Sequence, residues 1–195
     1  MILQVVSLLK KNEIVCFPTE TVYALACSAK NDFVISKIYS IKNRPITKQM
    51  SLLMKDINQV SMFSHLKEQD LKIIQHLPKG KITFVLPLHN RHYLPKKFFK
   101  DTIGIRISDH PTASKILHLF KSPIIATSVN ITGSCSTSKA SNIPDIIKKN
   151  ISIIIKDDTL VSGIESTVID LMSYKILRSG IVPDKEIYNI FQNIL

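Results

Sequence analysis

Apolar residues recur along the chain with two different periods, which predict alternating helices and strands. Between Val34 and Ile41 they fall on one face of a helix, and Asn31 is suited to cap that helix. Short apolar runs such as 82–88 have the length and composition of buried strands. The pattern therefore predicts an α/β protein.

The same reading extends over the whole chain. It predicts helices at 2–11, 32–42, 56–63, 67–77, 111–120, 144–149 and 185–194. It predicts strands at 14–17, 51–54, 82–88, 103–107, 123–127, 151–155, 166–171 and 175–178. No Gly/Ser/Pro-rich linker and no internal repeat separates these segments, so we expect one domain over residues 1–195.

The charge of the chain indicates an anionic partner. Lys and Arg number 26 against 15 Asp and Glu, a formal net charge of +11, and the segments 33–55 and 71–100 contain no carboxylate. Each segment alone is explained as well by a solvated basic face. Two of them in one domain favour a surface that binds nucleic acid, a nucleotide or an anionic membrane.

Several classes of protein are excluded by composition. The hydrophobic content of 45% is too high for a disordered chain, and no run of about 18 apolar residues predicts a membrane span. Cys16, Cys27 and Cys135 fit neither a zinc site nor a CxxC motif, and the two lysines at 10–11 follow the first apolar run instead of preceding it. We therefore expect no signal peptide and a reducing, cytoplasmic location.

Common catalytic and nucleotide-binding motifs are also missing. The five glycines are scattered and form neither a P-loop nor a dinucleotide-binding turn. His89 and His92 lack a third metal ligand, so surface imidazoles are the better interpretation, and no metal site is predicted. Nothing in their positions marks Cys16 or Cys27 as nucleophiles, and we expect both to be buried.

Small polar residues and lone cations follow the predicted strands and the 32–42 helix, and open α/β sheets place binding sites at strand ends. Four segments show this pattern: 17–23, 42–45, 126–130 with the loop 132–141, and 163–170 with 176–180. Each also has a purely structural explanation, in the same order: a capped turn, cations at a helix C-terminus, a flexible loop, and a hairpin whose Glu165 and Arg178 face water.

In their order along the chain, these motifs resemble the YrdC family of threonylcarbamoyl-AMP synthases, in the short, single-domain bacterial form. The matching motifs are PTETVY at 18–23, Lys42-x-Arg44 with Pro45 and Lys48, TFVLP at 83–87, GIRISDHP at 104–111, ATSVN with Thr-Gly at 126–133, GIESTVIDL at 163–171 and ILRSG at 176–180. The resemblance implies a twisted, open, mixed sheet flanked by helices.

The resemblance further implies an activity. Members of the family join L-threonine, bicarbonate or CO2, and ATP into threonylcarbamoyl-AMP and release pyrophosphate. The product serves N6-threonylcarbamoyladenosine formation at position 37 of tRNAs that read codons starting with A. The expected partners are these three substrates, Mg²⁺ carried with ATP, and tRNA with its threonylcarbamoyl-transfer machinery; no membrane is expected.

The resemblance also implies roles for individual residues. Lys42 and Arg44 are expected to face the triphosphate and to act in catalysis. Threonine or its carbamate is assigned to Thr19, Lys48, Arg106, Ser128 and Ser166. The nucleotide is assigned to Lys42, Arg44, Thr102, Asn130, Ser138 and Arg178.

Two alternatives stay open at the level of sequence. The first is a basic module that binds double-stranded RNA or tRNA through phosphate contacts and catalyses nothing, because net charge alone predicts such binding. The second is carbamoyl transfer, as in the related domain of hydrogenase-maturation proteins, although the acylphosphatase and zinc-finger segments expected beside that domain are missing from this sequence.

Overall fold

The computed structural model describes residues 1–195, which form seven α-helices and nine β-strands. The helices are α1 (Ile2–Lys10), α2 (Asp32–Ile41), α3 (Ile57–Ser61), α4 (Glu68–His76), α5 (Pro111–Phe120), α6 (Asp145–Lys148) and α7 (Asp184–Ile194). The strands are β1 (Val15–Phe17), β2 (Ala24–Ser28), β3 (Ser51–Met54), β4 (Ile82–Pro87), β5 (Thr102–Ile107), β6 (Ile124–Ser128), β7 (Ile153–Ile154), β8 (Thr167–Asp170) and β9 (Lys175–Arg178).

All nine strands belong to one sheet in the order β7-β1-β2-β6-β3-β5-β4-β8-β9. The pairs β1–β7, β3–β5 and β4–β8 are parallel and the other five are antiparallel. The expectation of an α/β protein with a mixed, open sheet is confirmed. None of the helices combines the length and hydropathy needed to cross a membrane.

The two faces of the sheet are covered to different extents. Helices α2, α4 and α7 pack on one face, over a large apolar cluster that includes Leu52 and Ile105. Helices α1 and α5 pack on the other face, over a smaller cluster that includes Phe17 and Ile124. Because strand side chains alternate between faces, some small side chains of β3, β4, β5 and β6 also point to this second face. Helices α1 and α5 do not cover that part of the sheet.

Strand β2 is the one strand that the hydrophobic pattern does not predict. It lies between β1 and β6, and its five residues are all buried. Its sequence, Ala-Leu-Ala-Cys-Ser, lacks the β-branched and aromatic residues that mark strands, so its conformation depends on pairing with two neighbours. The predicted strand at 151–155 is real but shorter, with only two residues in the ladder.

Helix α2 ends where the first cations of the site begin. The side chain of Asn31 accepts hydrogen bonds from the backbone N–H groups of Phe33 and Val34 and so caps the start of the helix. Lys42 is the C-cap residue, and its carbonyl oxygen accepts a hydrogen bond from the N–H of Thr132. The helix end is thereby tied to the loop that follows β6.

The hairpin of β8 and β9 depends on a close approach at Gly180. A Cβ atom at this position would lie 2.5 Å from the carbonyl oxygen of Glu165 and equally close to backbone atoms of Ser166 and Thr167. Backbone atoms cannot move away as the end of a flexible side chain can. Glycine at 180 is therefore required for β9 to return against the start of β8.

We expect Gly180→Ala to destabilise the protein by about 1–3 kcal/mol, because the added methyl group forces the hairpin apart. Urea unfolding followed by circular dichroism measures the loss. The control is Lys175→Ala in β9, which removes an exposed side chain and is expected to stay within about 0.5 kcal/mol of the wild type. Equal stability of the two variants would contradict the packing argument.

Candidate active site

A cavity of about 450 Å³ lies on the second face of the sheet, beside α1 and α5. Its floor consists of small side chains on neighbouring strands, which leave space where larger ones would fill it. These floor residues are Ala24, Ser51, Thr83, Gly104, Ala126 and Ser166. In the sheet register, Ser51 lies opposite Ala126 and Gly104 lies opposite Val85, so the floor runs continuously across the strands.

The position of the cavity differs from the sequence expectation. Binding at the ends of the strands was expected, but the cavity lies over the face of the sheet. Pairs two residues apart, such as Thr83 and Val85 or Gly104 and Arg106, line it together because strand side chains two apart share a face. The sheet is mixed, so its strands do not share one carboxyl edge at which a ligand would bind.

Four predicted cations meet around this cavity: Lys42, Arg44, Arg106 and Arg178. Lys42 is 1% exposed. Its ammonium group donates to the carbonyl oxygens of Ser128 (2.5 Å) and Asn130 (2.6 Å) and to Oδ1 of Asn130 (2.9 Å). All three of its donors are therefore used inside the protein.

Burial lowers the pKa of Lys42 to about 8, because a low-dielectric environment disfavours the charged form. The neighbouring charge of Arg44 contributes to this lowering of the pKa, and the carboxylate of Glu165 opposes it. Lys42 is thus charged below about pH 8 and becomes neutral above it.

Arg44 is held by backbone carbonyl groups. Its Nε donates to the carbonyl of Lys48 at 2.7 Å and its Nη2 to that of Gln49 at 2.9 Å. The side chain of Tyr39 is a further polar neighbour of this guanidinium. A guanidinium anchored along one edge is suited to bind an anion along the other.

Arg106 projects from β5 and is 8% exposed. Its Nη1 donates to the hydroxyl of Thr21 and to the carbonyl of Gly80, and its Nη2 donates to the hydroxyl of Thr19 at 3.2 Å. These acceptors are all neutral, so no carboxylate is in direct contact with this buried cation. Burial lowers the pKa of Arg106, and the nearby charge of Glu20 opposes that effect.

The turn that carries Thr19 and Thr21 is fixed by the buried carboxylate of Glu20. This carboxylate accepts hydrogen bonds from the hydroxyl of Ser108 (2.9 Å) and the N–H of Asp109 (3.2 Å), directly after β5. The turn is therefore attached to the strand that carries Arg106.

Arg178 of β9 also lines the cavity. Its Nη1 contacts Oε2 of Glu165 at 2.6 Å, and its Nη2 donates to the carbonyl of Ser166 at 2.7 Å. The hydroxyl groups of Ser166 and Thr83 are 2.8 Å apart on the floor. Glu165 and Arg178 thus face the cavity and each other, which rules out the alternative of a hairpin whose two charges merely face water.

Ser128 and Asn130 continue the wall from the end of β6. The hydroxyl of Ser128 donates to Oδ1 of Asn130 at 2.6 Å, and Nδ2 of Asn130 donates to the carbonyl of Ser134. The amide of Asn130 is thereby oriented, with its oxygen shared by Ser128 and Lys42. The hydroxyl of Ser128 keeps its lone pairs for a ligand.

Four predicted residues do not line the cavity: Thr19, Lys48, Thr102 and Ser138. Thr19 is fully buried behind Arg106 and acts as its acceptor. The side chain of Lys48 is exposed, and the site uses only its carbonyl oxygen. The carbonyl of Thr102 accepts from Nε2 of Gln49, and Ser138 lies against Gly163.

Several lining residues were not assigned a role from the sequence, among them Thr21, Thr83 and Glu165. Thr21 and Glu165 lie inside recognised motifs, so the motif positions would have included them. Thr83 would have been found from the alternation of small or polar residues with large ones inside a predicted strand.

No group of three or more His, Cys, Asp or Glu side chains is placed to hold a metal ion. Cys16 and Cys27 are buried, as expected, and burial raises the pKa of both thiols. Neither is placed to act as a nucleophile. The chemistry available in the cavity is therefore anion binding by fixed cations and hydroxyl groups.

Comparison with known proteins shows the family to which this chain belongs. A family model, Sua5/YciO/YrdC, described as telomere recombination, matches residues 7–180. The chain therefore belongs to the Sua5/YciO/YrdC family.

Among individual proteins, the chain is 28% identical to the threonylcarbamoyl-AMP synthase of Vibrio vulnificus, over 91% of this chain and 97% of that protein. The structure of Sua5 from P. abyssi complexed with L-threonine superposes with a TM-score of 0.89 at 28% identity, over 99% of this chain and 58% of that one. YciO from E. coli gives a TM-score of 0.85 at 26% identity, over 94% of this chain and 91% of that one.

We expect the affinity of the cavity for inorganic sulfate to fall roughly tenfold between pH 7 and pH 9.5, because Lys42 loses its charge above about pH 8. Sulfate keeps its charge over this pH range, so a change in its affinity reflects a change in the charge of the protein. Isothermal titration calorimetry measures the affinity. Lys42→Arg, which keeps its charge, is expected to show a much smaller decline, and equal declines in both proteins would exclude Lys42 as the titrating group.

Proposed function

We propose that this protein is a threonylcarbamoyl-AMP synthase, which condenses L-threonine, bicarbonate or CO2, and ATP and releases pyrophosphate. The observation that carries the proposal is the set of four cations around one cavity with a single carboxylate among its lining residues. The synthase name of the V. vulnificus relative and the L-threonine in the P. abyssi structure support it.

The reaction needs positive charge and correct positioning more than it needs a nucleophile from the protein. The amine of threonine adds to CO2 and loses a proton to give a carbamate. A carbamate oxygen then attacks the α-phosphorus of ATP, and the bond to the bridging oxygen of the pyrophosphate breaks. The carbamate, the α-phosphate and the leaving pyrophosphate are all anionic, so fixed cations lower the barrier by bringing the reactants together and stabilising the charge that develops.

We assign the phosphate groups to the side of the cavity that holds Arg44 and Arg178. Both guanidinium groups are anchored by backbone carbonyl oxygens, at 2.7 Å from Lys48 and 2.7 Å from Ser166, so binding an anion requires little reorganisation. Arginine presents paired donors that match phosphate oxygens. Lys42 contacts Ser128 and Asn130 at the end of β6, and we assign it long-range electrostatic attraction because its donors are already used.

We assign the carboxylate of threonine to Arg106. This cation is buried, has only neutral oxygen acceptors around it and lines the cavity, so an incoming carboxylate would be its first direct counter-ion. Ser128 supplies hydroxyl lone pairs for the amine, and Ser166 supplies a second hydroxyl on the floor. Thr19 acts indirectly, by holding the Arg106 guanidinium in place.

Mg²⁺ that arrives with ATP fits a site of this composition. Magnesium in nucleotide sites is commonly held by phosphate oxygens, water and one or two carboxylates, and Glu165 is the one carboxylate that lines the cavity. The ion would neutralise charge on the phosphate groups when bound.

A role in tRNA modification completes the proposal. The product is a mixed anhydride and has to be used by a transfer reaction soon after it forms. Lysine residues outside the cavity, among them Lys96, Lys97 and Lys100, are exposed and are candidates for contact with tRNA or with the transfer machinery.

Arg44→Gln is expected to lower the rate of pyrophosphate release by about 10²- to 10³-fold, because one charge contact to the transferring phosphoryl group is lost. The assay contains ATP, L-threonine and bicarbonate, and mass spectrometry identifies threonylcarbamoyl-AMP as the product. Lys96→Gln, an exposed cation outside the cavity, serves as the control and keeps the wild-type rate.

Pyrophosphate release that does not depend on threonine and bicarbonate would contradict the proposal. RNA binding without any thermal stabilisation by ATP and threonine would favour the non-catalytic RNA-binding module instead.

The apolar part of the cavity predicts a moderate preference for threonine over serine. Leu53, Val85 and Val168 line it, and a pocket for one extra methyl group discriminates by about 1–3 kcal/mol. We therefore expect kcat/KM for threonine to exceed that for serine by about 10- to 200-fold. Competition between the two amino acids in one reaction, with products separated by mass, measures the ratio, and a ratio near one would contradict a methyl-sized pocket.

A further inference from the structure

Glu165 is the only carboxylate among the side chains that line the cavity, where it faces four cations. Its Oε2 contacts Arg178 at 2.6 Å, and its charge also raises the pKa values of Lys42 and Arg44 against the larger, opposite effect of burial. Its other carboxylate oxygen makes no hydrogen bond. A negative group therefore occupies a place that the proposed function assigns to phosphate.

The contacts of Glu165 allow its carboxylate to move away from Arg178 while its backbone stays in place. The side chains of Arg178 and Glu165 are 48% and 35% exposed, and an ion pair so exposed to water contributes little to stability. The backbone carbonyl of Glu165, by contrast, accepts a hydrogen bond from Ile181 and packs against Gly180.

Arg178 does not need Glu165 to keep its position. Its Nη2 donates to the carbonyl of Ser166 at 2.7 Å, and β9 is paired with β8. When the carboxylate leaves, the guanidinium keeps this anchor and exposes its Nη1 to the cavity.

We propose that Glu165 is an internal counter-ion that competes with the phosphate groups of the ligand for Arg178. This inference rests on the proposed function, since it concerns the same phosphate subsite. In the free protein the carboxylate neutralises Arg178. A bound polyphosphate displaces it, and its return to Arg178 helps pyrophosphate to dissociate.

The test is the affinity of the protein for inorganic pyrophosphate, measured by isothermal titration calorimetry without other substrates. Glu165→Gln removes the charge at nearly constant shape and is expected to tighten binding about two- to fivefold. The gain should shrink in high salt, which screens charge on partly exposed groups. Glu165→Ala is the second variant and is expected to show the same direction.

The matched control is Asp145→Asn, which removes a carboxylate from another exposed ion pair, with Lys148, outside the cavity. It raises the net charge by the same amount and is expected to leave the pyrophosphate affinity unchanged. In an Arg178→Gln background, Glu165→Gln should gain much less, because the competition is for Arg178.

Weaker or unchanged binding in both Glu165 variants, with wild-type binding intact, would overturn the counter-ion role and leave the proposed function standing. Weaker binding in particular would mean that Glu165 positions Arg178 for the ligand. Absence of pyrophosphate binding to the wild-type protein would instead count against the phosphate subsite itself and would overturn both.

Discussion

The site depends on how the protein holds its two buried cations, Lys42 and Arg106, without a carboxylate in direct contact with either of them. Lys42 donates to two carbonyl groups and an amide oxygen, and Arg106 donates to two threonine hydroxyls and a carbonyl. Neutral oxygens satisfy the donors but do not cancel the charge. Burying a charge is costly unless it is hydrogen-bonded, and these contacts lower the cost while the positive potential remains available to a ligand.

The partly covered sheet face forms the cavity in which this positive potential acts. Helices α1 and α5 cover only part of one sheet face, and small side chains such as Ser51 and Gly104 leave the rest of it open. The single carboxylate at the cavity, Glu165, is placed on a hairpin that Gly180 closes tightly. A firmly held backbone with one partly exposed acidic side chain suits the binding of a highly charged substrate and the release of a charged product that we propose.

Much of the fold was predictable because its signals are local. The helices around Val34–Ile41 and in the final segment show clear amphipathic spacing, and most strands are short apolar runs. Strand β2 was missed because Ala and Cys carry little strand preference, and its conformation comes from two long-range neighbours. The motifs identified Lys42, Arg44, Arg106 and Arg178 as site residues, and all four line the cavity.

The class of fold, the chemical types of the site residues and the excess of positive charge can be derived from the amino-acid sequence, because each follows from composition or from motifs of a few residues. Three features could be seen only after folding: the site lies on the sheet face, Lys48 contributes its backbone while its side chain stays outside, and Glu165 contacts Arg178. These facts depend on strand register and on which face each side chain occupies, and both are set by pairing between segments far apart in the chain.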